Sequence, residues 1–83
     1  MWIRSQNKKI LSKVNEVLIC TMDDNKYFIE GFWNRGSDTL GIYSSEEKAL
    51  KLLDEIQKQI EYPYNEIFQM PQDWEVEIWF QKR

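Results

Sequence analysis

The first nine residues, MWIRSQNKK, hold the side chains of this sequence that are best suited to bind a ligand. In an extended strand, Trp2, Arg4 and Gln6 alternate onto one side, which brings an aromatic ring, a guanidinium and an amide into line. A guanidinium binds phosphate in bidentate fashion, and an aromatic ring stacks on a nucleobase. Ser5 and Lys8 add donors that reach phosphate or ribose oxygens. We therefore predict a site for a small phosphate-bearing ligand, most simply a nucleotide, at Trp2, Arg4, Ser5, Gln6 and Lys8.

The distribution of charge supports this interpretation. Residues 1–13 carry four bases and no acid, whereas residues 14–83 carry seven bases against fourteen acids. With a net charge of −3, the chain is a poor general nucleic-acid binder, because such binding depends on many Lys and Arg contacts to phosphates. A confined anionic ligand is compatible with this balance. The alternative is that Trp2 is a core residue, that Arg4 pairs with an acid, and that the lysines only occupy a turn.

No residue pattern in the sequence indicates catalysis. The chain has no histidine, its one cysteine, Cys20, is typical of a packed strand residue in VLICT, and its three glycines are too dispersed for a phosphate loop. Neighbouring acids such as Glu75 and Glu77 are typical of a solvated strand face. We therefore expect a protein that is not an enzyme and that holds no cofactor and no metal.

Length and composition predict one small domain over residues 1–83. The four Trp, four Tyr and four Phe help such a chain to build a core, since each large ring can bury roughly 150–250 Å². A lone cysteine forms no internal disulfide, and the sequence shows neither a signal-peptide pattern nor an apolar run of about 18 residues. We expect a cytoplasmic protein without a membrane segment.

The first half of the sequence has the alternation and the turn residues of an antiparallel β-meander. Polar links, DDNK at 23–26 and NRGSD at 34–38, separate its later strands. The predicted strands are residues 2–5, 10–22, 27–33 and 39–43.

At SSEEKALKLLDEIQKQIE the apolar period changes from two residues to 3.6, which predicts an amphipathic helix over about 45–61. Ser44 and Glu47 fit a capping box at its start. We predict that this helix packs on one face of an antiparallel sheet of four to six strands, which makes the fold class α+β. The expected contacts join Leu52, Leu53 and Ile56 of the helix to Ile29, Leu40, Ile42 and Phe68 of the strands.

One or two further strands are predicted after the helix. NEIFQMP at 65–71 has the composition of a strand, and DWEVEIWF at 73–80 alternates apolar side chains with acids. A terminal strand is a sheet edge, which either packs on its own sheet or pairs with another chain. Because the chain has many large apolar side chains for its size, we predict a homo-oligomer. The predicted oligomer or partner interface comprises Trp74, Val76, Ile78, Trp79 and Phe80.

The sequence resembles a group of short, largely uncharacterised proteins of phages and mobile elements in Gram-positive bacteria. The resemblance lies in the opening MWIRSQNKKIL, in LGIYSSEEKALKLLDEIQ and in FQMP. It spans residues 1–71, the core shared with that group, and residues 72–83 form a C-terminal extension. The group brings no established activity. The resemblance implies a small non-enzymatic binding protein that counters host defence in the bacterial cytosol.

Two forms of binding are compatible with that implication. In the first, several copies sequester a cyclic or linear nucleotide signal with the basic, aromatic N-terminal strand. In the second, the acidic body inhibits a host defence protein or nucleic-acid enzyme, as an acidic mimic that uses Glu75, Glu77 and other acids. We favour sequestration, because the acids of the predicted helix alternate with lysines and form no continuous phosphate-like row.

Overall fold

The computed structural model describes residues 1–22, 25–61 and 66–81, and these residues form six β-strands and two α-helices. The predicted α+β fold class is confirmed, and so are the helix that follows the first five strands and a strand within residues 65–71. The elements are β1 (Trp2–Arg4), β2 (Leu11–Lys13), β3 (Glu16–Met22), β4 (Lys26–Trp33), β5 (Gly36–Tyr43), α1 (Glu46–Glu61), β6 (Phe68–Gln69) and α2 (Asp73–Gln81).

The strands divide into two sheets of three rather than one continuous sheet. In the N-terminal sheet, of order β2-β1-β6, β1 pairs antiparallel with β2 and parallel with β6. In the meander sheet, of order β3-β4-β5, both pairs are antiparallel. The central strand of the N-terminal sheet is therefore the first strand of the chain, and a strand that follows α1 completes that sheet.

The predicted strand over residues 10–22 is divided between the two sheets, which corrects the sequence interpretation. The division falls at Val14 and Asn15. The Val14 N–H donates to the Met1 carbonyl at 2.9 Å, and the Asn15 N–H donates to the Phe32 carbonyl at 2.8 Å. Two successive backbone donors thus serve different sheets. An apolar pattern along one strand contains no signal for this exchange of partners.

Helix α1 packs on the meander sheet as predicted, and its buried side chains include Ala49, Leu52 and Ile56. The N-cap residue of α1 differs from the prediction, because it is Ser45 rather than Ser44. The Ser45 hydroxyl accepts the Lys48 N–H at 3.2 Å. A serine immediately before a helix commonly satisfies a free backbone donor in this way.

Ile42 is the one residue of the predicted core contacts that the structure places outside, with 47% of its surface exposed. The β4–β5 register shifts between Ile29 and Glu30: Ile29 opposes Gly41 and Glu30 opposes Thr39. Leu40 is therefore the extra residue of a β-bulge, after which the alternation of faces is reversed. Tyr43 takes the buried position that strict alternation assigns to Ile42.

The predicted strand over residues 73–80 is wrong, because this segment is helix α2. At its start, the Glu75 carboxylate accepts the Gln72 N–H at 2.8 Å, which is one of the two hydrogen bonds of a capping box. The Lys48 ammonium of α1 pairs with Asp73 at 2.9 Å and with Glu77 at 2.8 Å. Four residues rise about 6 Å in a helix but about 13 Å in a strand, so only the helix brings both carboxylates to one ammonium.

Strict alternation in DWEVEIWF therefore does not mark a strand, because a local cap and a tertiary ion pair favour the helix over the β-preference of its Trp, Val and Ile residues. Val76 of α2 is completely buried in the core with Phe68 and Met70.

In the part of the chain that the structure describes, no helix is both long and apolar enough to cross a membrane.

Candidate functional site

The outer face of the N-terminal sheet carries three of the five residues predicted to bind a ligand. Ile3 is fully buried, so its neighbours Trp2 and Arg4 lie on the other side of β1. Cross-strand pairing adds side chains to this side, because Trp2 opposes Lys13, and Arg4 opposes both Leu11 and Gln69. We call the surface formed by Trp2, Arg4, Lys8, Leu11, Lys13 and Gln69 the cationic face.

Arg4 is fixed at the centre of this face by the turn that follows β1. Its Nε donates to the carbonyl of Lys8 at 2.7 Å. Lys8 has a left-handed backbone with φ of 68°, an uncommon conformation outside glycine. Within the described residues, the terminal amino groups of Arg4 have no hydrogen-bond or ion-pair partner. They can therefore form the bidentate contact that a phosphate accepts.

Lys8 lies over the same face. Its ammonium makes a long 3.5 Å contact with Oε1 of Gln69, the residue that pairs with Arg4 across the parallel strands. The strand positions that form this surface carry two cations, an indole, an amide and a leucine, and Lys8 adds a third cation. No acid occupies any of them. A surface whose charges are all positive has a positive local electrostatic potential, which attracts an anionic ligand.

Ser5 is placed in the interior, contrary to its predicted part in ligand binding. It is 1% exposed, and its hydroxyl donates to Asn7 Oδ1 at 2.7 Å while accepting the Ile10 N–H at 3.0 Å. The Lys9 N–H also donates to Asn7 Oδ1, at 3.0 Å. Ser5 therefore holds the turn that presents Arg4 and Lys8, and its hydroxyl is not available to a ligand.

Gln6 is also engaged internally. Its Oε1 accepts the Ile42 N–H at 3.0 Å, and its Nε2 donates to the Ile42 carbonyl at 3.0 Å and to the Pro71 carbonyl at 3.2 Å. Its backbone N–H donates to the Leu40 carbonyl at 2.7 Å. Gln6 thus joins the N-terminal sheet to the edge of the meander sheet, and Trp2, Arg4 and Lys8 remain as the predicted ligand residues with free groups.

The predicted C-terminal interface is divided by the helical conformation of α2. Val76 is fully buried and Trp79 packs against the core, so neither is available as a whole side chain. Trp74 and Ile78 are one helical turn apart and are exposed by 63% and 40%. The side chain of Phe80 lies outside the described part of the structure. The exposed part of the predicted interface is therefore Trp74 with Ile78.

A pocket beside the cationic face was not predicted from the sequence. It has a volume of about 340 Å³ and lies where the β4–β5 turn approaches the β2–β3 link. We call it the hairpin pocket, and its lining residues are Lys13, Asn15, Trp33, Asn34 and Arg35. The sequence NRGSD indicates a turn but not a pocket. The pocket also needs Asn15 to lie against this turn, which depends on the change of sheet partners at Val14 and Asn15.

The charges of the pocket linings distinguish the hairpin pocket from two other clefts. A cleft of about 510 Å³ between α1, β6 and α2 is lined by Glu55 and Glu66 as well as Lys58. A cleft of about 280 Å³ between α1 and the start of β3 includes Glu16 and neither lysine nor arginine. The hairpin pocket has two bases and no acid in its lining. Of the three, it is the one suited to an anion.

Within residues 1–22, 25–61 and 66–81, no group of three or more His, Cys, Asp or Glu side chains is placed to hold a metal ion. No protein-family model matches the chain, and comparison with curated proteins and with solved structures finds no match.

Proposed function

We propose that this protein binds a small phosphate-bearing nucleotide on the cationic face and sequesters it without chemical conversion. The observation that carries the proposal is the state of Arg4, whose Nε is fixed by the Lys8 carbonyl at 2.7 Å while its terminal amino groups are unpaired within the described residues. A guanidinium held in place loses little side-chain entropy when it binds phosphate.

The other residues of the cationic face supply complementary contacts. Lys8 and Lys13 add positive charge to the same face, where Lys8 contacts Gln69 and Lys13 lies opposite Trp2. Trp2 is 47% exposed and offers an aromatic surface for a nucleobase. This combination of one planar cation, two point charges and one ring suits a nucleotide better than a simple anion, because a simple anion makes no use of the indole.

We further propose that the protein acts as a homo-oligomer and that the ligand is a nucleotide signal of host immunity. The support for this setting is the resemblance of residues 1–71 to short phage and mobile-element proteins. Sequestration needs only a stable fold and a high-affinity surface, and it needs no catalytic group.

Inhibition of a host enzyme by an acidic mimic is the less supported alternative. Glu75 accepts the N–H of Gln72 and caps α2, and Glu77 pairs with Lys48 at 2.8 Å. On α1, Glu55 lies 3.6 Å from the ammonium groups of both Lys51 and Lys58. These acids have local structural partners, so they do not form the free row of negative charge that a mimic of nucleic acid presents.

Isothermal titration calorimetry against cyclic dinucleotides, cyclic trinucleotides and ADP-ribose derivatives tests the proposal. We expect at least one of these ligands to bind and to be recovered chemically intact. The Arg4→Ala variant should then bind about 1.5–3 kcal/mol more weakly, because it loses a charge-assisted contact.

Lys26→Ala is the matched control, since it also removes one exposed positive charge but lies at the far end of β4 from the cationic face. Its affinity should stay within about twofold of the native protein. Unchanged affinity in a folded Arg4→Ala variant would show that the site is elsewhere. Conversion of the ligand would indicate an enzyme, and failure of every nucleotide to bind would refute the proposal.

A further inference from the structure

Lys13 connects the hairpin pocket to the cationic face. It is the cross-strand partner of Trp2 in the N-terminal sheet, and it also lines the hairpin pocket with Trp33 and Arg35. Directly opposed residues of antiparallel strands have Cβ atoms about 4.5–5.5 Å apart. Lys13 therefore neighbours Trp2 on the cationic face and lines the hairpin pocket together with Trp33 and Arg35.

The indole of Trp33 is held in one orientation. Its Nε1 donates to Asp38 Oδ2 at 2.9 Å, and the Ser12 hydroxyl donates to the same oxygen at 3.1 Å. Gly36 lies against the six-membered ring, so that a Cβ at this position would be 3.3 Å from Trp33 Cζ2. A ring that is fixed and still 39% exposed is a suitable platform for stacking a base.

An amide pair provides hydrogen-bonding groups in the same pocket. Asn15 Nδ2 donates to Asn34 Oδ1 at 3.1 Å. This bond leaves the Asn15 side-chain oxygen and the Asn34 side-chain amino group without partners among the described residues. An acceptor and a donor side by side match the mixed polar edge of a nucleobase.

The cations of the pocket are also unpaired. Neither Lys13 nor Arg35 forms an ion pair within the part of the chain that the structure describes. The carboxylate of Asp38 is outside the pocket lining, and its Oδ2 is occupied by Ser12 and Trp33. The pocket volume of about 340 Å³ is near the lower end of the range for ligand pockets, about 300–1,000 Å³, so it accommodates one nucleotide unit.

We infer that the hairpin pocket binds the second unit of a ligand composed of two nucleotides, the first unit of which lies on the cationic face. Trp33 stacks on the second base, and Asn15 and Asn34 bind its edge. The phosphate of the second unit is the one that links the two units, and Lys13 and Arg35 both bind it. This inference rests on the proposed function and specifies the class of ligand as a dinucleotide.

The test measures affinity as a function of ligand length. The probes are 5′-phosphorylated ligands of one, two and four nucleotides, in an adenine series and a guanine series, and the proteins are native, Arg4→Ala, Arg35→Ala and Lys26→Ala. For the native protein we expect affinity to rise about tenfold or more from one nucleotide to two, because the second unit adds a charge-assisted contact and a stacking contact. Affinity should not rise further from two nucleotides to four.

The variants separate this inference from the proposed function. Arg35→Ala should lower dinucleotide affinity about tenfold or more and leave mononucleotide affinity within about twofold. Arg4→Ala should weaken both ligands, and Lys26→Ala should weaken neither. Three results would overturn the inference: equal affinity for one and two nucleotides, a continued rise in affinity from two to four, or normal dinucleotide binding by the Arg35→Ala variant. None of these results would refute the proposed function, which depends on Arg4. Absence of binding by every linear probe would overturn the inference, and absence of binding by the cyclic nucleotides and ADP-ribose derivatives as well would refute the proposed function.

Discussion

At the scale of single residues, Gln6 shows how a side chain can replace a backbone strand. Its amide exchanges two hydrogen bonds with the N–H and the carbonyl of Ile42, which is the pairing that a neighbouring peptide group would make. A third bond reaches the Pro71 carbonyl at 3.2 Å. A surface amide that binds a ligand and an amide that joins two sheets look the same in a sequence, so its position beside Arg4 suggested binding.

Replacement of Gln6 by alanine should therefore affect folding. The variant loses three side-chain hydrogen bonds, each worth about 0.5–1.5 kcal/mol, and we expect a decrease in the free energy of unfolding of about 2–3 kcal/mol. Urea denaturation followed by circular dichroism measures this difference.

Gln57→Ala is the matched control for Gln6→Ala, because Gln57 is an exposed helix residue whose amide bonds only to Glu61 within the described residues. It should change the free energy of unfolding by less than about 0.5 kcal/mol. Equal stability of the two variants would contradict the joining role of Gln6.

At the scale of elements, helix α2 is held against α1 by the cluster of Lys48 with the Ser44 hydroxyl and the carboxylates of Asp73 and Glu77. Hydrogen bonds to Glu77 and Asp73 raise the pKa of Lys48. Burial acts to raise the pKa of Asp73, but hydrogen bonds from Lys48 and Ser44 together hold it below its ordinary value. The cluster therefore stabilises the contact between α1 and α2 most when both groups are charged.

The signs of these pKa shifts predict how stability depends on pH. Asp73 contributes fully to the free energy of unfolding above pH 3.8, and this contribution is lost as the pH falls through its lowered pKa. Lys48 contributes fully below pH 10.5, and its contribution is lost as the pH rises through its raised pKa. The Lys48→Met variant should lose about 1–2 kcal/mol between these limits and show weaker losses of stability at both ends. Denaturation with urea across the pH range measures both effects.

Lys51→Met provides the comparison for Lys48→Met, since Lys51 forms a 3.6 Å helical ion pair with Glu55 and with no other acid of the described residues. That variant should lose no more than about 0.5 kcal/mol. A Lys48→Met protein as stable as the Lys51→Met protein at neutral pH would contradict the structural role of the cluster.

The elements also show what the sequence could and could not predict. The 3.6-residue period of α1 is a local pattern, and it located the helix and the buried Leu52 and Ile56 correctly, whereas Leu53 is only partly buried. The bulge at Leu40, which exposes Ile42, depends on the partner strand, and the helical state of α2 depends on Lys48 some 25 residues earlier. The hairpin pocket likewise requires Asn15 to meet Asn34, which depends on the exchange of sheet partners at Val14 and Asn15, so no local pattern marks it.

At the scale of the whole molecule, the described residues expose nine large apolar side chains to solvent, among them Trp74 and Ile78 of α2. The homo-oligomer stays a prediction, and these exposed side chains are the candidates for its interface. Removal of residues 72–83 would not test it, because that deletion also removes Val76 from the core and Asp73 from its ion pair with Lys48.

Static light scattering at tens of micromolar protein provides the test of assembly. We expect the native protein to have a mass above that of one chain. Combined substitution of Trp74 and Ile78 by serine should lower the mass to that of one chain with the fold intact. The same change at Leu50 and Ile60, which are exposed on α1, should not lower it. A native monomer would refute the prediction, and an unaffected mass in the first variant would place the interface elsewhere.

Nucleotide binding on the cationic face is tested most directly with the four tryptophans as reporters. Their indole N–H signals are followed by ¹H–¹⁵N NMR while the 5′-phosphorylated adenine dinucleotide is added. We predict that the signals of Trp2 and Trp33 shift with increasing ligand and that those of Trp74 and Trp79, which lie on α2, do not. A bound ligand that leaves the Trp2 signal unchanged, or four signals that remain unchanged at every ligand concentration, would contradict this prediction.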